Sequence, residues 1–289
     1  MYTGPTEGER ATWPAPNYIN PDTRVPMVLG VEITCLTLVV LFTALRFYTR
    51  IFIVKGLGLD DFIMLFASCA SVGTSLMMCI STRPKYQTGY HMWDLLPSLA
   101  FDAAAKIGMA AQLLFVTISV FMKTSVLLTY LRIFPSKTNK TFCYSMFAYV
   151  VFWGIGSTSL SLFQCDPIQA YWLPFEYPNA KCIPMRLVFH IPGTSNILSD
   201  FLIFLWPAKD LWKLHLPLKQ RINLVITFSL GAIVCVAGVC RLWYATIYVA
   251  SSDVLWNGAY FYVIATIETS VGIICGCIPS CKALLISAA

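Results

Sequence analysis

The sequence predicts an all-α membrane protein, a bundle of seven transmembrane helices. Of its 289 residues, 57% are hydrophobic and only 12% are charged, whereas soluble domains carry about a quarter charged residues. Seven stretches are long and apolar enough to cross a bilayer core of roughly 30 Å as helices. The stretches are continuously apolar instead of alternating, which argues against a transmembrane β-barrel. This composition also excludes an ordinary cytosolic enzyme, a disordered chain and a typical nucleic-acid binder.

The predicted membrane domain covers residues 25–281. Its seven spans are residues 25–45, 60–80, 107–131, 142–164, 187–206, 223–249 and 258–281. Residues 1–24 are polar and rich in proline, without an apolar run that could serve as a cleavable signal peptide. Residues 282–289 are expected to form a short cytosolic tail. Because no internal repeat or long linker separates the spans, we expect one domain.

The distribution of Lys and Arg in short loops predicts the orientation of the bundle. One side would carry Arg46, Arg50, Lys55, Arg132, Lys137, Lys140, Lys209, Lys213, Lys219, Arg221 and Lys282. The other side would carry Arg10, Arg24, Arg83, Lys85, Lys106, Lys181 and Arg186. The richer side should be cytosolic, which places the N-terminus outside and the C-terminus inside. The sequon at Asn139 then faces the cytosol and should carry no glycan.

Cys165 and Cys182 differ from the cysteines inside helices, because both lie in the predicted outer loop between spans four and five. An oxidising compartment favours a disulfide between them. The disulfide would close a loop rich in aromatic residues and proline. That loop could cover a site, or the disulfide could simply stabilise the loop. No metal site is predicted, since His91, His190 and His215 lie far apart in the sequence.

Five ionisable residues lie within the predicted spans: Glu32, Lys123, Asp200, Arg241 and Glu268. Such residues are costly in a bilayer and mark a functional site by default. Counting about 1.5 Å per helical residue from the flanking cytosolic bases predicts two layers. Glu32, Glu268 and Arg241 would form an outer cluster, and Lys123 would pair with Asp200 nearer the cytosol. Asn196 lies four residues before Asp200, on the same helical face.

Two interpretations of these charges remain open. Buried ion pairs often only orient helices. Alternatively, two carboxylates that share one arginine leave one acid with a raised pKa, and such an acid can exchange protons with a substrate. Glu32, Glu268 and Asp200 are then the candidate catalytic acids or bases. Lys123, Asn196 and Arg241 would line the pocket of a lipophilic small molecule.

Retinal, the cofactor of microbial rhodopsins, needs a lysine in helix seven to form its Schiff base. Residues 258–281 contain no lysine, and the lysine within the spans is Lys123 in span three. We therefore expect neither retinal nor another cofactor.

Several motifs together resemble the fungal rhodopsin-domain family of seven-helix membrane proteins. They read RFYTR at residues 46–50, KGLGLDDF at 55–62, KTSVLLTYLRIF at 123–134, FQCDP at 163–167 and NILSD at 196–200. Arg241, Glu268 and Pro279 complete the pattern, which extends over nearly the whole chain. Within it, Asp60 and Asp61 are interpreted as an N-cap and a first-turn acid of helix two.

The resemblance implies a multi-pass protein of the plasma membrane or an endomembrane, with one of two roles. Some family members are encoded in secondary-metabolite clusters, including the satratoxin type, and others are receptor-like surface sensors. We favour a pathway component that binds a lipophilic intermediate, because short loops leave little surface for a signalling partner, and both a pure binder and an isomerase or cyclase fit this role. A receptor-like sensor that engages a G protein is the alternative. The lack of an internal repeat argues against a proton-coupled carrier.

Overall fold

The computed structural model describes residue 8 and residues 11–96, 99–133, 136–174, 176–211 and 218–287. Seven helices in this part of the chain are long and apolar enough to cross a membrane, which confirms the predicted all-α class. They are α1 (Val25–Tyr48), α2 (Leu59–Ser81), α3 (Phe101–Ile133), α4 (Lys137–Leu162), α5 (Met185–Leu211), α6 (Leu218–Ala250) and α7 (Val254–Ser287). A five-residue π-helix, Thr49–Ile53, continues α1 at its C-terminal end.

The helices differ from the predicted spans mainly at polar ends, which a search for apolar windows does not detect. Helix α3 begins at Phe101 instead of residue 107, and the ion pair between Asp102 and Lys106, 3.3 Å apart, lies in this added turn. Helix α7 continues beyond residue 281 to Ser287, so Lys282 belongs to the helix but follows its apolar span, Val254–Ser280.

The seven helices form a ring in chain order that closes between α1 and α7, and α3 also contacts α7 across the bundle. Small residues permit the close approach of helices in membranes. A Cβ added to Gly272 of α7 would lie 2.7 Å from Met122 of α3, and one added to Gly154 of α4 would lie 2.6 Å from Val120. These two glycines therefore let α7 and α4 pack tightly against α3.

The end of the bundle that carries the loop between α4 and α5 is called the outer end, following the predicted orientation. The predicted disulfide is confirmed there: Cys165 and Cys182 are bonded and face each other in a two-stranded antiparallel pair, β1 (Cys165–Asp166) and β2 (Lys181–Cys182). A short 3-10 helix, Ile168–Tyr171, follows β1.

The opposite end, called the cytosolic end by the same convention, contains a buried ionic cluster that was not predicted from the sequence. Arg46 is fully buried, and its Nη2 and Nε lie 2.7 Å from Asp60 Oδ2 and 2.8 Å from Asp61 Oδ1. Arg50 lies 3.2 Å and 3.3 Å from the same two oxygens. The positive charge of Arg46 and Arg50 therefore neutralises two buried carboxylates and is not free at the membrane interface.

The earlier interpretation of Asp60 as an N-cap was wrong, because Gly58 is the N-cap residue of α2 and both aspartates lie in its first turn. Asp61 does support the helix start, since its Oδ2 accepts a hydrogen bond from the Gly58 amide at 3.0 Å. The additional role of the two aspartates, binding Arg46, depends on how α1 packs beside α2.

The cytosolic cluster connects four helices. Arg46 of α1 donates through Nη1 to the Gly276 carbonyl of α7 at 2.8 Å. Ser125 and Thr129 of α3 donate to the backbone carbonyl and the Oδ2 of Asp60, at 2.6 Å and 3.3 Å. Removal of one partner would leave uncompensated charge in the interior, which is much more costly than losing an exposed ion pair.

We expect Arg46→Met to lower the free energy of unfolding by about 3–5 kcal/mol, because Asp60 and Asp61 would remain buried without their closest cation. Denaturant titration in mixed micelles measures this loss. Arg132→Met is the matched control: the Arg132 side chain is 46% exposed and lies 3.8 Å from Asp60. It should cost about 1 kcal/mol or less. Equal losses in the two variants would contradict the account.

The Asn139 sequon lies in the first turn of α4, and its side chain is buried between helices. Its Nδ2 donates to the Tyr130 carbonyl at 3.2 Å, and its Oδ1 accepts from Trp206 Nε1 at 3.0 Å. Asn139 thus connects α3, α4 and α5. This structural use agrees with a position that carries no glycan.

We expect the intact mass of the protein expressed in a glycosylating host to be unchanged by enzymatic removal of N-glycans. Lys181→Thr is the positive control, because it creates a sequon at Asn179, which is exposed in the outer loop. A mass change should appear only in that variant. A glycan at Asn139, or none at Asn179 in the control, would overturn the predicted orientation.

Candidate functional site

Four of the five predicted intramembrane charges meet in one buried network. Lys123 of α3, Asp200 of α5, Arg241 of α6 and Glu268 of α7 are each at most 4% exposed. They form two ion pairs, Lys123 with Asp200 and Arg241 with Glu268. The network therefore contains two positive and two negative side chains and joins four helices near the middle of the bundle.

The ammonium group of Lys123 is fully engaged. Its Nζ donates to the Asn196 carbonyl at 3.0 Å, to Asn196 Oδ1 at 2.7 Å and to Ser199 Oγ at 2.6 Å. Asp200 Oδ1 lies 3.0 Å from Nζ as an ion-pair partner. Since an ammonium group has three N–H donors, the Asn196 and Ser199 contacts use all of them and Asp200 contributes mainly charge.

Arg241 binds Glu268 through two of its three guanidinium nitrogens. Its Nε lies 2.7 Å from Oε2, and its Nη2 lies 3.4 Å from Oε1. The guanidinium carbon also lies 4.4 Å from the centre of the Phe115 ring, within the range of a cation–π contact. Such planar, paired contacts hold the side chain in one orientation.

Asn196 joins the two ion pairs, so the predicted separation into two layers was wrong. Its Nδ2 donates to Asp200 Oδ2 at 3.1 Å and to Glu268 Oε1 at 2.8 Å. The amide group therefore bridges carboxylates on α5 and α7, while its Oδ1 accepts from Lys123 on α3. Estimates of depth from sequence could not show a bridge that depends on one side chain reaching two helices.

Glu32 was predicted to share Arg241 with Glu268, but the structure places its contacts elsewhere. Glu32 is fully buried, and its Oε1 accepts from Thr266 of α7 at 2.9 Å. Its Oε2 has no hydrogen-bond partner among the described residues. Arg241 turns toward Glu268 instead, because α1 contacts α7 and α2 but lies on the far side of α7 from α6 in the ring.

A cavity of about 920 Å³, including its open mouth, lies under the disulfide loop at the outer end. The loop contributes both disulfide cysteines together with Ala170, Tyr171 and Pro174, and α3, α6 and α7 form the walls. Residues of this loop therefore form part of the cavity wall. Burial raises the pKa of the Tyr171 phenol, which keeps this lining group uncharged.

A second cavity, about 530 Å³ including its opening, extends deeper into the bundle and reaches the ionic network at Arg241. Tyr262 lines both cavities. Gln112 lines the deeper one and donates through Nε2 to the hydroxyl of Tyr171 in the outer one at 3.3 Å. The two spaces are therefore neighbours separated by the side chains of Gln112, Tyr171 and Tyr262.

Of the candidate site residues, Arg241 is the one that lines the deeper cavity. Glu268, Asp200, Lys123 and Asn196 are buried beside it, and they and Glu32 do not appear among the lining residues of either cavity. The aromatic walls were missed by the sequence analysis, which searched for charges. The sequence signal that could have found these walls is the density of aromatic residues in spans three to seven. Aromatic side chains of membrane helices also face lipid, so this density alone does not indicate a cavity.

The described residues contain no group of three or more His, Cys, Asp or Glu side chains that could hold a metal ion. His91 instead stacks between Trp93 and Trp256, with ring centres 4.2 Å and 3.5 Å away, and its Nδ1 lies 2.6 Å from Asp253. His215 lies outside the described residues.

Comparison with known proteins gives one family. The family model described as Fungal rhodopsin domain matches residues 45–287. Fugralins biosynthesis cluster protein 2 of Gibberella zeae is 24% identical over 283 residues, which are 93% of this chain and 68% of the relative. Receptor GIN3 of Arthrobotrys oligospora is 24% identical over 271 residues, 91% of this chain and 63% of the relative.

A third relative, Satratoxin biosynthesis SC1 cluster protein 4 of Stachybotrys chartarum, is 26% identical over 170 residues, 57% of this chain and 59% of the relative. The chain spans 41% and 54% of the length of two further curated relatives. No solved structure matches the chain.

The network predicts strong coupling between Lys123 and Asp200. We expect Lys123→Met and Asp200→Leu each to lower the free energy of unfolding by about 3–5 kcal/mol, because each leaves a buried charge without its partner. The double variant should lose less than the sum of the two, by about 0.5–3 kcal/mol. Denaturant titrations of the four proteins measure the difference. Strict additivity would contradict the pairing.

Proposed function

The chain belongs to the fungal rhodopsin domain family, and on this premise we propose that it is a membrane component of a secondary-metabolite pathway that binds a lipophilic small molecule. The observation that carries the proposal is the neighbouring pair of cavities, which runs from the disulfide loop to Arg241. Ligand sites are typically concave, mostly apolar spaces with a few convergent polar groups.

The walls of the deeper cavity suit an apolar molecule. Five of its lining residues are aromatic: Phe115, Trp153, Phe189, Phe261 and Tyr262. Transfer of apolar surface from water into such a space contributes roughly 25 cal/mol per Å². A molecule that is sparingly soluble in water would therefore be held by burial, and the polar groups at the two ends of the cavity would orient it.

The relatives support a role in secondary metabolism. Two of the three described above, from Gibberella zeae and Stachybotrys chartarum, are named after biosynthetic clusters. Binding requires no rearrangement of the site. Catalysis would require a free carboxylate, whereas Glu268 and Asp200 are both held in ion pairs. Isomerisation or cyclisation by Glu268 would require its carboxylate to leave Arg241 and to face the ligand.

A receptor-like sensor is the second candidate function, and one structural observation favours it. Helix α7 lines both cavities, carries Glu268 of the network and contributes the Gly276 carbonyl that binds Arg46 at the cytosolic end. A ligand that moves α7 would change the contacts of the cytosolic cluster, and differential affinity for two states is what a sensor requires. Receptor GIN3 is similar to 91% of this chain.

We expect deletion of the gene to change the metabolite profile of the fungus by accumulation of a lipophilic intermediate, and Ala105→Trp to reproduce this change. Ala105 lines the outer cavity, so an indole side chain would fill it and exclude the ligand. Extraction and mass spectrometry of the culture measure the effect, with protein level verified by immunoblot.

Ala148→Trp is the matched control, because Ala148 is exposed on the surface of α4 and the same enlargement there leaves the cavities open. It should preserve the parental profile. An unchanged profile after deletion, combined with an altered response to surface or chemical cues, would reject the pathway role in favour of the sensor.

A further inference from the structure

We infer that the deeper cavity binds the uncharged carbonyl oxygen of a flat, apolar molecule through the Nη1 group of Arg241. This inference rests on the proposed binding of a lipophilic molecule and specifies its chemistry. Ketones, esters and lactones with an aromatic or conjugated body are the compounds that fit.

The first observation is an unused hydrogen-bond donor. Arg241 is 4% exposed, and Glu268 occupies its Nε and Nη2. Among the described residues, none accepts a hydrogen bond from Nη1. Unlike Asp200 Oδ1 of the same network, Nη1 is not a fully buried atom without a partner, so it can be reached from the cavity that Arg241 lines. Nη1 is therefore the group in the network that a ligand can satisfy.

The second observation is the direction of Nη1. Arg241 and Gly193 both line the deeper cavity, and a Cβ added to Gly193 would lie 3.7 Å from Nη1. The same Cβ would lie 3.0 Å from Leu242, which is tighter than ordinary contact. Glycine at this position thus leaves open space on α5 next to the free face of the guanidinium group.

The third observation is the balance of charge, which selects a neutral acceptor over an anion. Lys123 and Arg241 are already matched by Asp200 and Glu268. Among the described residues that line the deeper cavity, Arg241 alone is charged. A carboxylate ligand would add an unbalanced negative charge to a low-dielectric site, which is costly. A carbonyl oxygen accepts the hydrogen bond without adding charge.

The aromatic walls determine the shape of the ligand. Phe115 lies under the guanidinium group of Arg241, and Trp153, Phe189, Phe261 and Tyr262 complete the wall. Aromatic rings prefer offset-stacked or edge-to-face contacts with other π systems. A flat, conjugated body can make such contacts while its oxygen reaches Nη1.

Three probes of similar shape test the inference on the purified full-length protein: benzophenone, diphenylmethane and diphenylacetate. Isothermal titration in detergent measures their affinities. Benzophenone should bind about tenfold or more tightly than diphenylmethane, because it adds one hydrogen bond from a charged donor. Diphenylacetate should bind more weakly than benzophenone.

The variant Arg241→Met/Glu268→Met removes the donor while keeping the network neutral. It should bind benzophenone and diphenylmethane with the same affinity. The matched control, Lys106→Met/Asp102→Leu, also removes one ion pair, but this pair is exposed and its residues line neither cavity, so the variant should retain the preference for the ketone. The inference would be overturned if the control lost the preference for the ketone and Arg241→Met/Glu268→Met retained it.

Infrared spectroscopy of ¹³C=O-labelled benzophenone bound to the unaltered protein keeps the inference testable without any variant. The carbonyl band should shift to lower wavenumber relative to the probe in detergent alone, and an unshifted band would overturn the assignment. Equal affinity for ketone and hydrocarbon would reject the role of Arg241 and leave the proposed function intact. If diphenylacetate bound more tightly than benzophenone, the group that Nη1 binds would be an anion and not a carbonyl oxygen, and the inference would be overturned. Failure of all three probes to bind would overturn the inference, and the deletion strain tests the proposed function separately.

Discussion

Charged side chains inside a membrane protein need partners, and this requirement fixes how the seven helices of this chain are arranged. Two ionic centres meet it at different depths. At the cytosolic end, Arg46 joins α1 to α2 and α7. Near the middle, Lys123 and Arg241 join α3, α5, α6 and α7. Because an unpaired charge is costly in this environment, each centre restricts which helix faces lie inward.

The same constraint shapes the candidate site. Arg241 is the member of the central network that lines the deeper cavity, and it binds Glu268 through Nε and Nη2, which leaves Nη1 for a ligand. The rest of the network is closed by Asn196, which contacts three charged side chains. A site of this kind is suited to holding and orienting a molecule. Proton transfer would first require one of the ion pairs to open, and that makes binding the simpler function.

Helix α7 connects the parts of the molecule that a ligand and a signalling partner would each contact. Phe261 and Tyr262 line the deeper cavity, Glu268 belongs to the network, and Gly276 accepts the hydrogen bond from Arg46. A pathway component and a sensor could therefore share one architecture. They differ in whether a bound molecule changes the cytosolic cluster or is passed on to the next protein.

Sequence alone predicted the helices, the disulfide and the pairing of Lys123 with Asp200, because long apolar runs, an isolated pair of loop cysteines and rare buried charges are each distinctive. It misplaced Glu32 and missed Arg46, since contacts of a buried charge depend on helix rotation and neighbours. The cavities could not be predicted from the sequence either, because their walls also depend on helix rotation and neighbours. The most direct test of the account is a cryo-EM structure of the protein purified from fungal membranes. We expect non-protein density in the deeper cavity in contact with Arg241 Nη1, whereas a cavity closed by side chains would contradict the account.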